Sequence, residues 1–257
     1  ALSDADVLEQ SLKTMDAVAK EEKLNELASR VIVPYMIIAA VLVVLAIAIL
    51  FSSLPDLKDD GDESLSTTQS AKTSVFQFPH LLLGVMALFL YVGVEVMAGD
   101  TIISYGKSIG IELAEARFFT QYTLGFMLLG YVIGIAAIPK IISQAMALRV
   151  CAILGIIFTL GAVITTGKVS VGFIAALGLA NSLMWPAIFP LAIDGLGKFT
   201  KTGSALMIMA IAGGAILPLV YGKISEWWNP QMAYVIMVPC YLYIIYFAVK
   251  GHRVGRA

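Results

Sequence analysis

VSVGFIAALGLANSLMWPAIFPLAI, residues Val169 to Ile193, runs for 25 positions without a charged side chain. A helix needs roughly 20 consecutive apolar residues to cross a hydrocarbon core about 30 Å thick, so the stretch is long enough to span. Six further runs of similar length flank it: Val31 to Phe51, Pro79 to about Tyr105, Phe118 to Pro139, Val150 to Gly167, Thr202 to Gly222 and Pro230 to Val249. None shows the short polar/apolar alternation of barrel strands. Backbone amides cannot stay unpaired in lipid, so helices are the remaining way across. The expected fold is all-α: a polytopic transmembrane bundle of about seven spans.

Composition agrees. The 257 residues are 59% hydrophobic and 14% charged, where soluble domains carry about 25% charged residues. A formal net charge of -1 and the lack of a basic tract remove the footing for nucleic-acid binding. Cys151 and Cys240 both fall inside apolar runs and read as small packing residues. With two His, no HExxH and no Ser/His/Asp or Cys/His set, neither an enzyme nor a metal site is expected. Gly195 to Thr200 resembles a phosphate loop, but Phe199 follows Lys198 where Ser or Thr is required.

The chain divides unevenly. Residues 1–30 are charged and helix-prone, lack a signal-peptide h-region, and read as an extramembrane, periplasmic loop. Residues 31–51 form one span. Residues 52–78, with Asp56, Asp59, Asp60, Asp62 and Glu63, read as a solvated cytoplasmic linker. Residues 79–250 hold six spans joined by short connections, a unit of antiparallel neighbours, and residues 251–257 form a cytoplasmic tail. This orientation puts Lys140, Arg149, Lys198, Lys201 and the basic tail inside, and Lys107, Arg117, Lys168 and Lys223 outside. The chain opens on Ala1 and enters the charged segment at once. The expectation is a fragment whose upstream helices are missing, with a processed N-terminus as the other reading.

Within the six-span unit, helices interrupted by Gly or Pro at matching positions of a repeat mark transporter binding sites. The first span holds Gly84, Gly93 and Gly99, and the fourth holds Gly172, Gly178, Pro186 and Pro190. Glu95 is the leading site candidate, because a carboxylate facing lipid costs roughly 2.5 to 3.5 kcal/mol on insertion scales. Tyr91 lies one turn before it on the same face. Asp100 is a second candidate for ion coupling, although near a helix end it can also reach interfacial water. Asn181 and Trp185, at i and i+4, put an amide beside an aromatic surface, a pairing that suits a sugar's hydroxyls and C–H face. Gln121, opening the third span four residues before Gly125, is a further polar candidate. The structural alternatives are an interhelical hydrogen bond for Glu95, helix glue for Asn181 and an interfacial anchor for Trp185. His80 reads as an interface marker. Gly130 with Gly134, and Ala210 with Gly214, read as close-packing pairs.

The stretches Tyr91 to Val96, Asn181 to Leu191, Gly195 to Lys201 and Gly203 to Leu206 resemble the fucose permease and glucose/galactose transporter branch of the major facilitator superfamily. The Asn-Ser-x-x-Trp-Pro-x-Ile-Phe-Pro run beginning at Asn181 is the most specific. The likeness covers about residues 30 to 250, in the order of helices six to twelve of a twelve-helix permease. It implies a bacterial inner-membrane protein that binds a monosaccharide between two six-helix halves, with uphill uptake coupled to H⁺, or alternatively Na⁺, and no cofactor. The family's main proton-coupling carboxylates lie in the five helices this chain lacks, so none carries over. Glu95 matches a position where such permeases place a polar amide or acid. Two readings of another class stand beside this one: a non-transporting membrane scaffold, and a seven-helix receptor or retinal protein. Pro230 to Val249 has no Lys for a retinal Schiff base.

Overall fold

The structure, a computed structural model, describes residues 15–51, 73–138 and 140–255. All regular structure among them is helical, and seven stretches are long and apolar enough to cross a membrane. The chain divides into two compact units, Ala1–Thr68 and Gln69–Ala257.

The first unit contains helix α1 (Ala17–Phe51). Asp16 starts it by accepting a hydrogen bond from the Ala19 amide at 2.9 Å, satisfying one of the donors a helix N-terminus leaves open. The helix therefore begins well inside the segment read as a loop. Its charged N-terminal turns are bracketed by Glu26, which pairs with Lys23 and with Arg30, each at 2.6 Å. Beyond Val31 its described side chains are apolar and exposed, as a helix solvated by lipid presents them. Residues 1–14 and most of the expected linker, 52–72, lie outside the described residues.

The second unit is built around α2 (Pro79–Ser108), which touches nearly every other long helix of the unit. Around it stand the short α3 (Leu113–Ala116), α4 (Phe119–Ala137), α5 (Gln144–Ile164), α6 (Gly167–Asn181) and α7 (Met184–Ile193). They are followed by α8 (Thr200–Met209), α9 (Gly213–Trp227), α10 (Pro230–Ala233) and α11 (Met237–Val249). The centre is filled by side chains such as Leu88, Met97, Ile174 and Ile244, all fully buried, and outward faces such as Leu128 and Ile135 remain exposed.

Three of the apolar runs are broken, two of them where proline predicts a break. Pro186, lacking an N–H, cannot bond the Ser182 carbonyl, and the run Val169 to Ile193 ends one helix at Asn181 and starts another at Met184. Pro239 leaves the Val235 carbonyl without its ladder partner, and residues Tyr234–Ile236 wind as a 3₁₀ turn. Ala210–Ala212 also wind as a 3₁₀ turn, but Pro218 lies inside α9 and frees the Gly214 carbonyl, so this break is not of its making.

Small residues let the bundle close around the first break. A Cβ on Gly130 or Gly134 of α4 would collide with Ser182 or Leu183, so the glycine pair seats the broken segment. One end of the unit is tied by hydroxyls and an amide. Tyr105 meets Ser170 at 2.5 Å, and Thr101 meets Tyr234 at 2.7 Å. The Gln231 amide donates to the carbonyls of Ala162, Val163 and Thr165, capping the C-terminus of α5. At the other end the His80 ring meets the Asp194 carbonyl at 3.1 Å. The segment read as a tail folds in there: His252 is buried, with its ring 3.0 Å from the Phe247 carbonyl.

Candidate functional site

Glu95 lies midway along α2, half-buried, one turn after Tyr91. The Tyr91 ring is buried and meets the Trp185 ring edge-on, with centroids 6.4 Å apart. Trp185 stacks on Phe189 at 6.3 Å and 11°. The result is a carboxylate, a phenol and a slab of indole in sequence across α2 and α7. Tyr131 of α4 lies within electrostatic reach of Glu95.

Asn181 reaches the same region from the end of α6. It is 1% exposed, and its Oδ1 accepts a hydrogen bond from the Tyr241 hydroxyl of α11 at 2.9 Å. Tyr241 is itself fully buried and within electrostatic reach of Glu95. The Asn181 amide nitrogen has no hydrogen-bond partner among the described residues. A buried donor left unmatched costs about 1–3 kcal/mol, which makes this N–H the group in the cluster with most to gain from an added acceptor.

Glu95, Tyr91, Trp185 and Asn181 are thus gathered into one cluster. Asn181 and Trp185 are not related as consecutive turns of one helix, however, because the helix ends between them; the Pro186 break sets their relation. Gln121 and Asp100 have no shown contact with these four: both are exposed, Gln121 beside exposed Tyr122 and Asp100 between half-buried Gly99 and Thr101. Tyr241 and Tyr131 are the members that sequence reasoning missed. A tyrosine in an apolar helix carries no mark of a partner 60 residues away.

Beside the cluster, a cavity of about 210 Å³ opens between α4 and α7, lined by Tyr131, Gly134, Leu183, Pro186 and Ala187 among others. That is less than the roughly 300–1,000 Å³ of pockets that enclose a small molecule, and none of Glu95, Tyr91, Trp185 and Asn181 lines it. Among the described residues no three His, Cys, Asp or Glu side chains gather as metal ligands do. Cys151 and Cys240 are buried free thiols on α5 and α11.

A bundle of helices long and apolar enough to cross a membrane, closed around a polar and aromatic cluster, defines a multi-pass membrane protein. The comparisons place it more closely. The chain is 33% identical over 240 residues to a glucose/galactose transporter of Brucella abortus, covering 92% of this chain and 57% of that one. It is 27% identical over 253 residues to the L-fucose-proton symporter of Escherichia coli, covering 95% and 57%. The crystal structure of FucP, a major facilitator superfamily transporter in the outward conformation, superposes with a TM-score of 0.73 at 26% identity, covering 93% of this chain and 59% of that one. No family model matches the chain. The chain is thus similar over most of its length to transporters of this kind, and its helices carry the fold of the major facilitator superfamily structure on which they superpose. The chain spans under two-thirds of the length of the relatives it matches.

Proposed function

We propose that the chain is the C-terminal part of a monosaccharide permease of the bacterial inner membrane, taking a hexose or fucose by alternating access. Residues 79–250 are its six-helix C-terminal half and residues 31–51 the last helix of an N-terminal half. The observation that carries this reading is the cluster itself: Glu95 and Asn181 supply directional hydrogen bonds while Tyr91 and Trp185 supply an aromatic wall. Sugars need both, because their hydroxyls must stay hydrogen-bonded on leaving water and their C–H faces pack on rings. Gln121, exposed on α4, is a further contact to sugar in a complete permease, and Asp100 a further site for ion coupling. The symporter relative supports H⁺ as the coupled ion.

Coupling requires that proton and sugar each bind one conformation better than the other, since a ligand shifts an equilibrium only through differential affinity. The N-terminal half supplies the opposing surface. The test is equilibrium binding of labelled D-glucose, D-galactose and L-fucose to the chain in lipid nanodiscs, with Glu95→Gln and Trp185→Ala variants. Saturable binding that both substitutions weaken supports the reading. Hexose binding indifferent to both rejects it.

A further inference from the structure

We infer that the outer seam between α5 and α11 binds an anionic phospholipid, with the headgroup phosphate on the Arg149 guanidinium and an acyl chain along α5. The inference does not depend on the sugar-binding reading. α5 turns one stripe of apolar side chains outward along its length: Met146, Val150, Ile153, Ile157, Leu160 and Ile164 are each 41–77% exposed. They recur at the three- and four-residue spacing of a single helix face and extend about 27 Å, close to the thickness of a hydrocarbon core. Lipid tails are the solvent such a face requires.

Arg149, half-buried, borders the stripe at its first turns, three residues after Met146 and four before Ile153. Gly155 and Thr159 face α11, against the Tyr241 ring and the Met237 sulfur, whereas Gly161 faces Phe173 of α6. Helix periodicity then puts Arg149 about 60° from the middle of the stripe, on the side toward α11. The same two contacts make the helices antiparallel, and their register sets Arg149 level with Phe247, less than a turn short of Lys250. The Arg149 Nε is buried and has no hydrogen-bond partner among the described residues. A donor on a permanent cation is costly to bury without an acceptor, and a phosphate fits the guanidinium fork with two parallel hydrogen bonds.

Charge selects the lipid. Among the described residues of this unit, Lys140, Arg149, Lys198, Lys201, Lys250 and Arg253 gather at this end against the carboxylate of Asp194. At the opposite end carboxylates match the cations, and two pairs are formed: Lys168 with Glu115 at 2.7 Å and Lys223 with Glu226 at 3.0 Å. The occupant therefore needs a tail for the stripe and a net negative headgroup. A soluble anion leaves the stripe unfilled, and a zwitterionic lipid brings a cation of its own.

The experiment puts a reporter on the stripe. In a chain carrying Trp185→Phe, Trp227→Phe and Trp228→Phe, Ile153→Trp supplies the single indole, and its quenching is measured in phosphatidylcholine bilayers containing brominated phosphatidylglycerol or brominated phosphatidylcholine. The anionic lipid should compete for the site about fivefold better than the zwitterionic one, the gain expected from one cation near a headgroup. Arg149→Gln should bring that ratio within about twofold of unity, while Arg149→Lys keeps most of it. A reporter at exposed Leu128 of α4, as Leu128→Trp, should show no preference. Millimolar glycerol phosphate, which carries the phosphate without tails, should leave the ratio unchanged. A ratio near unity with Arg149 intact, a preference that survives Arg149→Gln, or equal preference at both reporters would overturn the inference. Loss of the preference to glycerol phosphate would overturn it in favour of a soluble phosphate. The comparison of the two reporters decides even if Arg149→Gln does not fold.

Discussion

The ring of Tyr91 meets that of Trp185 edge-on at a centroid distance of 6.4 Å, joining the helix that carries Glu95 to the helix that begins beyond the Pro186 break. Aromatic pairs in this geometry contribute about 0.5–1.5 kcal/mol beyond the area they bury, so the contact fixes α7 against α2 as well as forming a wall. Its two roles are separable by substitution.

Trp185→Phe keeps an aromatic face and the stack on Phe189, whereas Trp185→Ala removes both. Sugar affinity should fall about tenfold or more in the alanine variant and only a few-fold in the phenylalanine variant, measured by equilibrium dialysis.

At Gly155, any side chain meets the Tyr241 ring. Gly155→Ala should destabilise the bundle by about 1–3 kcal/mol, the cost of overpacking a filled core, and lower the midpoint of thermal unfolding in detergent. Gly172, where a Cβ meets nothing within 4 Å, is the control and should tolerate alanine.

Gln231 holds the carbonyls that end α5. Gln231→Leu leaves them without that donor at a cost of about 1–3 kcal/mol. The amides of residues 160–166 should exchange hydrogen faster while sugar affinity stays within about twofold, because the cap lies at the end of the bundle and touches none of the four cluster residues.

Proteoliposomes containing the chain by itself should not accumulate labelled sugar against a gradient, since one wall cannot alternate its exposure. Co-reconstitution with an N-terminal half should restore uptake. Accumulation by the chain unaided would contradict the division of labour proposed for the two halves.

Much of the fold was legible because lipid imposes a simple rule. An apolar run with little or no charge that is long enough to cross must be a helix, and each of the seven runs corresponds to a helical stretch long and apolar enough to span. Glu95 stood out for the same reason, as an ionisable group where one is costly. The rule says nothing about where a helix begins outside the apolar region, so the start of α1 at Ala17 went unseen; Asp16 decides it through a single cap. Reading Asn181 and Trp185 as neighbours on one helix face counted residues through the break at Ser182 and Leu183 that Pro186 imposes. Gln121 and Asp100 are exposed in the described structure, and their contacts to sugar and ion stand as proposals. Tyr241 was illegible because its partner is 60 residues away, and only the closeness of α11 and α5 at Gly155 brings its hydroxyl to Asn181.

Trp185 is also the natural reporter of the central claim, that a sugar binds against the Glu95, Tyr91, Asn181 and Trp185 cluster. With the two exposed tryptophans replaced, as Trp227→Phe and Trp228→Phe, the fluorescence of the chain in nanodiscs comes from Trp185 alone. Titration with D-galactose should change it saturably, with a midpoint matching the dissociation constant from equilibrium dialysis, and Glu95→Gln should move both together. Saturable sugar binding by dialysis with no change in Trp185 emission would place the sugar elsewhere and contradict the claim.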